Sequence, residues 1–245
     1  MKQILLKLHE NYSNKKKSLA ILIDPDKFDK IKFEEIDKVS LLQIDYVFIG
    51  GSLIITQKIH NVINKLKDIF TVPIVMFPGN AIHISEGIDG ILFLSLISGR
   101  NPEFLIGQQV IAAPMLKKSG VEVIPTGYML IDGGKQTTAN YMSQTQAIPN
   151  DKPEIAVCTA MAGEMLGLQL IFMDAGSGAE KAINKEMIAA VKANINVPLL
   201  IGGGINTLSK AQDAFEAGAD VIVIGNLLEE DTQLLNHIIA LKEQF

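Results

Sequence analysis

Eight short runs of Val, Ile, Leu, Phe and Met recur along the chain with helix-patterned segments between them, and this rhythm restricts its fold more than any other feature. The runs are Leu19 to Ile23, Tyr46 to Ile49, Ile74 to Phe77, Gly90 to Leu94, Glu122 to Pro125, Gln169 to Met173, Pro198 to Ile201 and Val221 to Ile224. Most are continuously apolar, the pattern of strands covered on both faces, by helices outside and by other side chains inside. Repeated βα units make a parallel sheet, and eight of them in 245 residues predict one (β/α)8-barrel domain over residues 1–245.

The connections read as helices, most clearly over Thr56 to Lys67, Pro102 to Lys118, Lys185 to Ala193 and Ser209 to Ala217, the last followed by Gly218 as a stop. Pro78, Gly79 and Asn80 to Asp89 are too few for a full crossover helix, so an irregular or shortened third helix is expected. The polar segment Asp132 to Asp151 reads as a mobile loop over the open end, a lid candidate. Apart from the βα rhythm, no internal repeat is visible.

Composition removes several classes of function. A net charge of −5 with no Trp provides no basic, aromatic surface for nucleic acid. The single Cys158 excludes an internal disulfide, and the N-terminal segment lacks the apolar run of a secretory signal, so a cytoplasmic protein is expected. Ile155 to Met173 is long and apolar but carries Glu164 and Gln169, and reads as a packed helix followed by a buried strand, leaving no integral membrane segment. Lys15 to Lys17 read as a solvated helix end or loop.

Glycine turns follow the last three runs: Ala175-Gly176-Ser177-Gly178, Gly202-Gly203-Gly204 and Gly225-Asn226. Any one of them could be a tight turn alone. Three in succession, at the end of a barrel where active sites lie, point to backbone N–H groups set around a phosphate. Asp24, Asp26 and Asp174 stand at the ends of runs one and six. Carboxylates there would repel a phosphate unless one holds a hard cation such as Mg2+ and another accepts a proton or hydrogen bond from a substrate hydroxyl. Asp24 could equally cap the turn before Pro25, and Ser52, after Gly50-Gly51, could ligate a metal or cap a helix. His9, His60, His83 and His237 show no ligand spacing with Cys158, and no lysine lies in Gln169 to Met173, which disfavours zinc, serine-hydrolase and Schiff-base chemistry.

Read in order, Ile23-Asp24-Pro25-Asp26-Lys27, Phe48-Ile49-Gly50-Gly51-Ser52, Pro125-Thr126-Gly127-Tyr128, Asp174-Ala175-Gly176-Ser177-Gly178-Ala179, Gly202-Gly203-Gly204-Ile205 and Ile224-Gly225-Asn226 resemble the geranylgeranylglyceryl phosphate synthase family from about Ala20 to Glu229-Glu230. The resemblance implies a modified TIM barrel that joins the 3-hydroxyl of sn-glycerol 1-phosphate to C1 of a long prenyl diphosphate, with Mg2+, releasing diphosphate. By motif match Asp24 and Ser52 would be the metal-associated residues. Phe172, Met173, Asp174, Ala175, Gly176, Ser177, Gly178, Gly203, Gly204, Gly225 and Asn226 would surround glycerol phosphate. Asp174 and Asp24 would be the catalytic pair. Asp174 stands where the family often has Glu, one methylene longer, and Phe172 where a Tyr is common, so a hydroxyl contact is missing at that position.

The prenyl chain implies an apolar groove from Met, Ile and Leu at the barrel top, with the gap after run three as its opening. Two other readings remain open: an isomerase or synthase acting on a sugar phosphate, which needs no groove, and a non-catalytic phosphometabolite-binding barrel. A homo-oligomer is the general expectation for so apolar a barrel, and a lipid product is compatible with transient contact at a membrane surface.

Overall fold

The computed structural model describes residues 3–55, 58–80, 85–225 and 232–245. Asn226, His83, Thr56 and Glu229-Glu230 fall outside the described residues. After helix α1 (Ile4–Ser13) come β1 (Ser18–Ile23), α2 (Lys38–Leu42), β2 (Tyr46–Gly50), α3 (Ile59–Ile69), β3 (Ile74–Phe77) and β4 (Gly90–Leu96). A π-helical turn (Glu103–Gly107) runs into α4 (Gln108–Ser119), followed by β5 (Glu122–Leu130), α5 (Thr138–Ser143), α6 (Pro153–Met165) and β6 (Leu170–Asp174). The chain continues through α7 (Lys185–Lys192), β7 (Leu199–Gly202), α8 (Leu208–Glu216), β8 (Val221–Ile224) and α9 (Thr232–Lys242).

All eight strands pair in parallel and in chain order, and β8 pairs with β1 to close the barrel. No helix of the described residues is long and apolar enough to cross a membrane. The stretch from Ile155 to Met173 divides between α6 and β6 as its sequence implies. Strand β5 is longer than its apolar run, because Pro125 and Gly127 lie inside it without ending it. A methyl group at Gly127 would lie 2.7 Å from the Ile171 side chain and 3.0 Å from that of Ile97, so this glycine makes room for helix-side packing and is no turn.

Strand alternation sorts the core. Ala20, Tyr46, Phe48, Val75, Phe77, Leu92, Ile124, Tyr128, Leu130, Leu170, Phe172, Leu200, Val221 and Val223 form one buried cluster inside the barrel. Leu19, Ile21, Ile23, Val47, Ile49, Ile171, Met173, Ile201 and Ile224 belong to another, between strands and helices. Helix α1 sends Ile4 and Leu8 into the interior cluster and so covers the lower end. Glu122 takes three N–H groups at the start of α1, from Gln3, Ile4 and Leu5, at 2.8–2.9 Å.

A device at the lower end repeats at alternate seams. The carboxylate of Asp45 accepts the Leu19 N–H while the Asp45 N–H donates to the Leu19 carbonyl; Asp89 does the same with Ile74, and Asp220 with Leu199. At the β5–β6 seam the equivalent pair is Pro125 and Gln169: Gln169 donates to the Pro125 carbonyl, and proline has no N–H that would need a carboxylate. The sequence shows no repeat here because a single residue in each unit carries the device. Lys192 and Lys242 neutralise Asp220 and Asp45, and Lys17, expected to be solvated, donates to the Ala219 carbonyl at 2.7 Å.

The β3–β4 seam is the shortest, with only Val75↔Gly90 and Met76↔Ile91 in register, against a seven-residue register between β4 and β5. Above Ile91 the β3-facing edge of β4 has no strand partner among the described residues. Residues 78–80 and 85–89 make bends and turns, and residues 81–84 are not described, so a shortened third helix stays an expectation.

Asp220→Ala would leave the Leu199 N–H and the Lys192 ammonium without their shared buried partner. Urea denaturation is expected to show a loss of about 2–4 kcal/mol, and an unchanged midpoint would mean the seam does not depend on this carboxylate.

Candidate active site

The inward column of each strand ends at the barrel mouth. Continuing the alternation of Ala20 and Leu22 brings Asp24 there; Leu170 and Phe172 lead to Asp174, Leu200 to Gly202, and Val221 and Val223 to Gly225. The structure therefore gathers Asp174, the Ala175–Gly178 turn, Gly203, Gly204 and Gly225 at one end. It does not gather every predicted side chain. Met173 is fully buried on the helix side, so only its backbone belongs to the mouth. Phe172 lies beneath the mouth at 1% exposure, its ring against Gly202, where a methyl group would lie 2.9 Å away.

Phe77, Tyr128 and Phe172 make a triangle of rings, each pair with centroids 5.6 Å apart and tilted or edge-on, which forms an apolar floor. Asp174 stands above it at 8% exposure. Its Oδ2 accepts the Tyr128 hydroxyl at 2.6 Å, and its Oδ1 accepts the Gly176 N–H at 2.7 Å. Burial pushes the Asp174 carboxyl above the usual carboxylate range, and those two donors pull it part of the way back. A carboxylate so placed is a better proton acceptor than a solvated one.

The glycine turns hold this carboxylate closely. Gly203 has φ +79°, and a methyl group there would lie 2.5 Å from the Gly176 nitrogen and 2.7 Å from Asp174 Oδ1. Only glycine permits both the left-handed backbone and the contact. Among the described residues the N–H groups of Gly178, Gly203, Gly204 and Gly225 donate to no protein acceptor, as a cup for phosphate oxygens requires.

On the β1 and β2 side, Asp24 Oδ1 accepts the Asp26 N–H at 3.0 Å, so Asp24 does fasten its own turn. Its Oδ2 has no hydrogen bond among the described residues. A methyl group at Gly51 would lie 4.0 Å from the Asp24 carboxyl carbon, and Asp26 accepts the Ile55 N–H at 2.9 Å, which ties the two loops together. Ser52 caps no helix, because α3 begins at Ile59 after Lys58; it lines a groove instead.

That groove is a cleft of about 800 Å³, counted to its open surface. It runs between Ser52 and the Pro78–Asn80 turn on one side and Phe93, Leu96, Phe104 and Met142 on another, with Tyr128 in its wall. The open edge of β4 supplies the space. The Gln109 amide donates to the Leu94 and Phe104 carbonyls, and the Ser95 hydroxyl donates to the Leu105 carbonyl, which docks the π-helical turn where a strand is missing.

The segment from Asp132 to Asp151, expected as a mobile loop, has its own structure. Ile148 bridges to Ile131, and Thr137 and Asn140 form a reciprocal cap on α5. Thr137 also packs on Gly176, so the segment is built onto the glycine turns at the mouth. Polar composition concealed this, because its hydrogen bonds close locally. Tyr128 is a side chain of the mouth to which sequence reasoning assigned no role. The one available signal was its place in a Pro-Thr-Gly-Tyr motif, and the register with Phe172 that sets it beside Asp174 is a tertiary fact.

The chain matches the PcrB family over residues 12–243. It belongs to that family. It is 49% identical over 231 residues to the geranylgeranylglyceryl phosphate synthase of Spirosoma linguale, covering 94% of this chain and 93% of that one. It is 37% identical to the protein of that name from Korarchaeum cryptofilum, covering 92% and 93%. This PcrB-family barrel also superimposes on the crystal structure of (S)-3-O-geranylgeranylglyceryl phosphate synthase from Thermoplasma acidophilum in complex with substrate sn-glycerol-1-phosphate, with a TM-score of 0.89, 27% identity and full coverage of both chains.

Two substitutions test the site. Gly203→Ala is expected to destabilise the fold by about 1–2 kcal/mol in urea denaturation, since its methyl group would enter the Asp174 turn, and an unchanged midpoint would contradict this packing. Asp174→Asn removes a buried charge whose folded pKa is raised. The ionised form therefore costs stability once pH rises through that range, and at neutral pH the variant should melt at or above the parent temperature. A clear drop in melting temperature would contradict this account of Asp174.

Proposed function

We propose that this chain forms an ether between the 3-hydroxyl of sn-glycerol 1-phosphate and C1 of geranylgeranyl diphosphate or a similar long prenyl diphosphate, with Mg2+ as cofactor. The observation that carries this reading is the meeting, at one mouth, of a glycine cup with bare N–H groups, a buried carboxylate and an apolar groove. An isomerase or synthase acting on a sugar phosphate would use the cup but leave the groove without a purpose. A non-catalytic phosphate-binding barrel would leave Asp174 without one.

The glycine turns take the phosphate of the acceptor and bring its hydroxyl to Asp174. The groove takes the prenyl chain and presents C1 at the Tyr128 end. The glycerol oxygen attacks C1, its proton passes to the Asp174 carboxylate, and the electron pair of the C1–O bond leaves with diphosphate. Holding both reactants in line converts a bimolecular encounter into a unimolecular step, a contribution of about 7–11 kcal/mol at best. Asp24 and Ser52 would hold Mg2+, which when bound would neutralise the departing diphosphate. Their chemistry fits this ion: Mg2+ commonly takes one or two carboxylates and completes its shell with waters and phosphate oxygens.

The test is incorporation of labelled sn-glycerol 1-phosphate into an organic-extractable product with geranylgeranyl diphosphate and Mg2+. Metal-dependent product that falls at least about tenfold in Asp24→Asn is expected. Equal activity in that variant would reject the metal role of Asp24, and no product with any prenyl length would reject the transferase reading. The rate should also fall as pH drops through the raised Asp174 pKa, because only the ionised carboxylate accepts the proton.

A further inference from the structure

The Tyr128 hydroxyl and ring face different parts of the site. Tyr128 is an inward residue of β5, in register with Phe172, and its hydroxyl rises to Asp174, two residues further along β6. The ring is wedged edge-on between Phe77 and Phe172, at 74° and 75°, which prevents it from swinging. The same ring lines the apolar groove beside Phe77 and Leu130.

We infer that Tyr128 is a positioning residue serving both halves of the reaction, its hydroxyl fixing the carboxylate that takes the glycerol proton and its ring forming the wall where groove and phosphate cup meet. This inference rests on the prenyl-transfer reading given above. With Gly176 on Oδ1 and Tyr128 on Oδ2, the carboxylate plane of Asp174 cannot rotate, yet each oxygen keeps a lone pair for an incoming proton. The floor of three rings leaves the carboxylate no water from below, so a fixed phenol replaces the solvent that would otherwise orient and stabilise it. Burial and the Asp174 charge hold the phenol itself well above its usual range, so it stays a donor at neutral pH.

The pH dependence separates this role from simple packing. Among the described ionisable side chains around the mouth, Tyr128 is the one hydrogen-bonded to Asp174. Asp132, after β5, accepts the Gly134 N–H, and Lys210, on α8, donates to the Gly204 carbonyl and to Asn206. Asp24, at the end of β1, accepts the Asp26 N–H, and among the described residues the ends of β7 and β8 contribute glycines. Tyr128→Phe keeps the ring and removes the donor that favours the charged carboxylate, so the acid limb of the rate profile should move to higher pH.

Steady-state kinetics of the parent, Tyr128→Phe, Tyr128→Leu, Asp174→Asn and the double variant Tyr128→Phe/Asp174→Asn test the inference. Tyr128→Phe is expected to lower kcat by about tenfold to a hundredfold, with KM for prenyl diphosphate nearly unchanged and the acid limb shifted upward. Tyr128→Leu should in addition raise that KM, because the wall of the groove is lost. In the Asp174→Asn background the Phe substitution should cost nothing more, since the hydroxyl acts through the carboxylate. Parent kcat and an unmoved acid limb in Tyr128→Phe, or a full further loss in the double variant, would overturn the inference while leaving prenyl transfer standing. A parent protein without turnover would instead remove the reading on which it rests.

Discussion

A carboxylate 8% exposed above a floor of aromatic rings has to be held by donors or remain protonated, and most of the upper barrel answers to that constraint at Asp174. Tyr128 supplies one donor and the Gly176 backbone the other. The second requires the turn after β6 to fold back on its own aspartate. That fold brings Gly203 so close that no Cβ is tolerated there, while Thr137 from the connection after β5 packs on Gly176. The glycines therefore do more than turn the chain. They give the room that lets the buried carboxylate be held by backbone, and the N–H groups of Gly178, Gly203, Gly204 and Gly225 are left without an acceptor among the described residues.

The other determining feature is incomplete closure. Eight parallel strands could pair evenly, but β3 and β4 share only two residue pairs. The free edge of β4 would be an exposed row of unmet carbonyls and N–H groups. The Gln109 amide meets the Leu94 carbonyl, and the π-helical turn, held by the Ser95 hydroxyl through the Leu105 carbonyl, docks there instead of a strand. The result is a slot with apolar walls that opens at the same mouth as the cup. At the opposite end the carboxylates of Asp45, Asp89 and Asp220 close alternate seams, so the barrel is fastened at its base and relaxed near β3 at its top.

Much of this architecture was legible in the chain itself. Continuous apolar runs identify strands buried on both faces, and all eight were placed, with β3 and β8 bounded as in the structure and the others shifted at one or both ends. The turns Gly176–Gly178 and Gly203–Gly204 were legible as neighbours at one barrel end, because glycine after successive strands marks tight turns at the same mouth. Strand β5 was cut short, because Pro125 and Gly127 carry turn chemistry and only packing against Ile171 and Ile97 shows why they sit inside a strand. The Asp132 to Asp151 segment was read as loose because its polar groups satisfy one another locally, which composition does not record.

What the sequence by itself determined is the barrel, the end at which its chemistry lies and the residue types brought there, since strand alternation and glycine spacing are local properties of the chain. What only the tertiary structure decided is which side chains meet. The Tyr128 hydroxyl reaches Asp174 across 46 residues, and that pairing depends on the β5–β6 register, which follows from closing the whole barrel. The apolar slot likewise exists because two strands fail to pair along their full length. A contact between distant residues and the absence of a contact are both decided by the sum of the packing, and neither is written in any one segment.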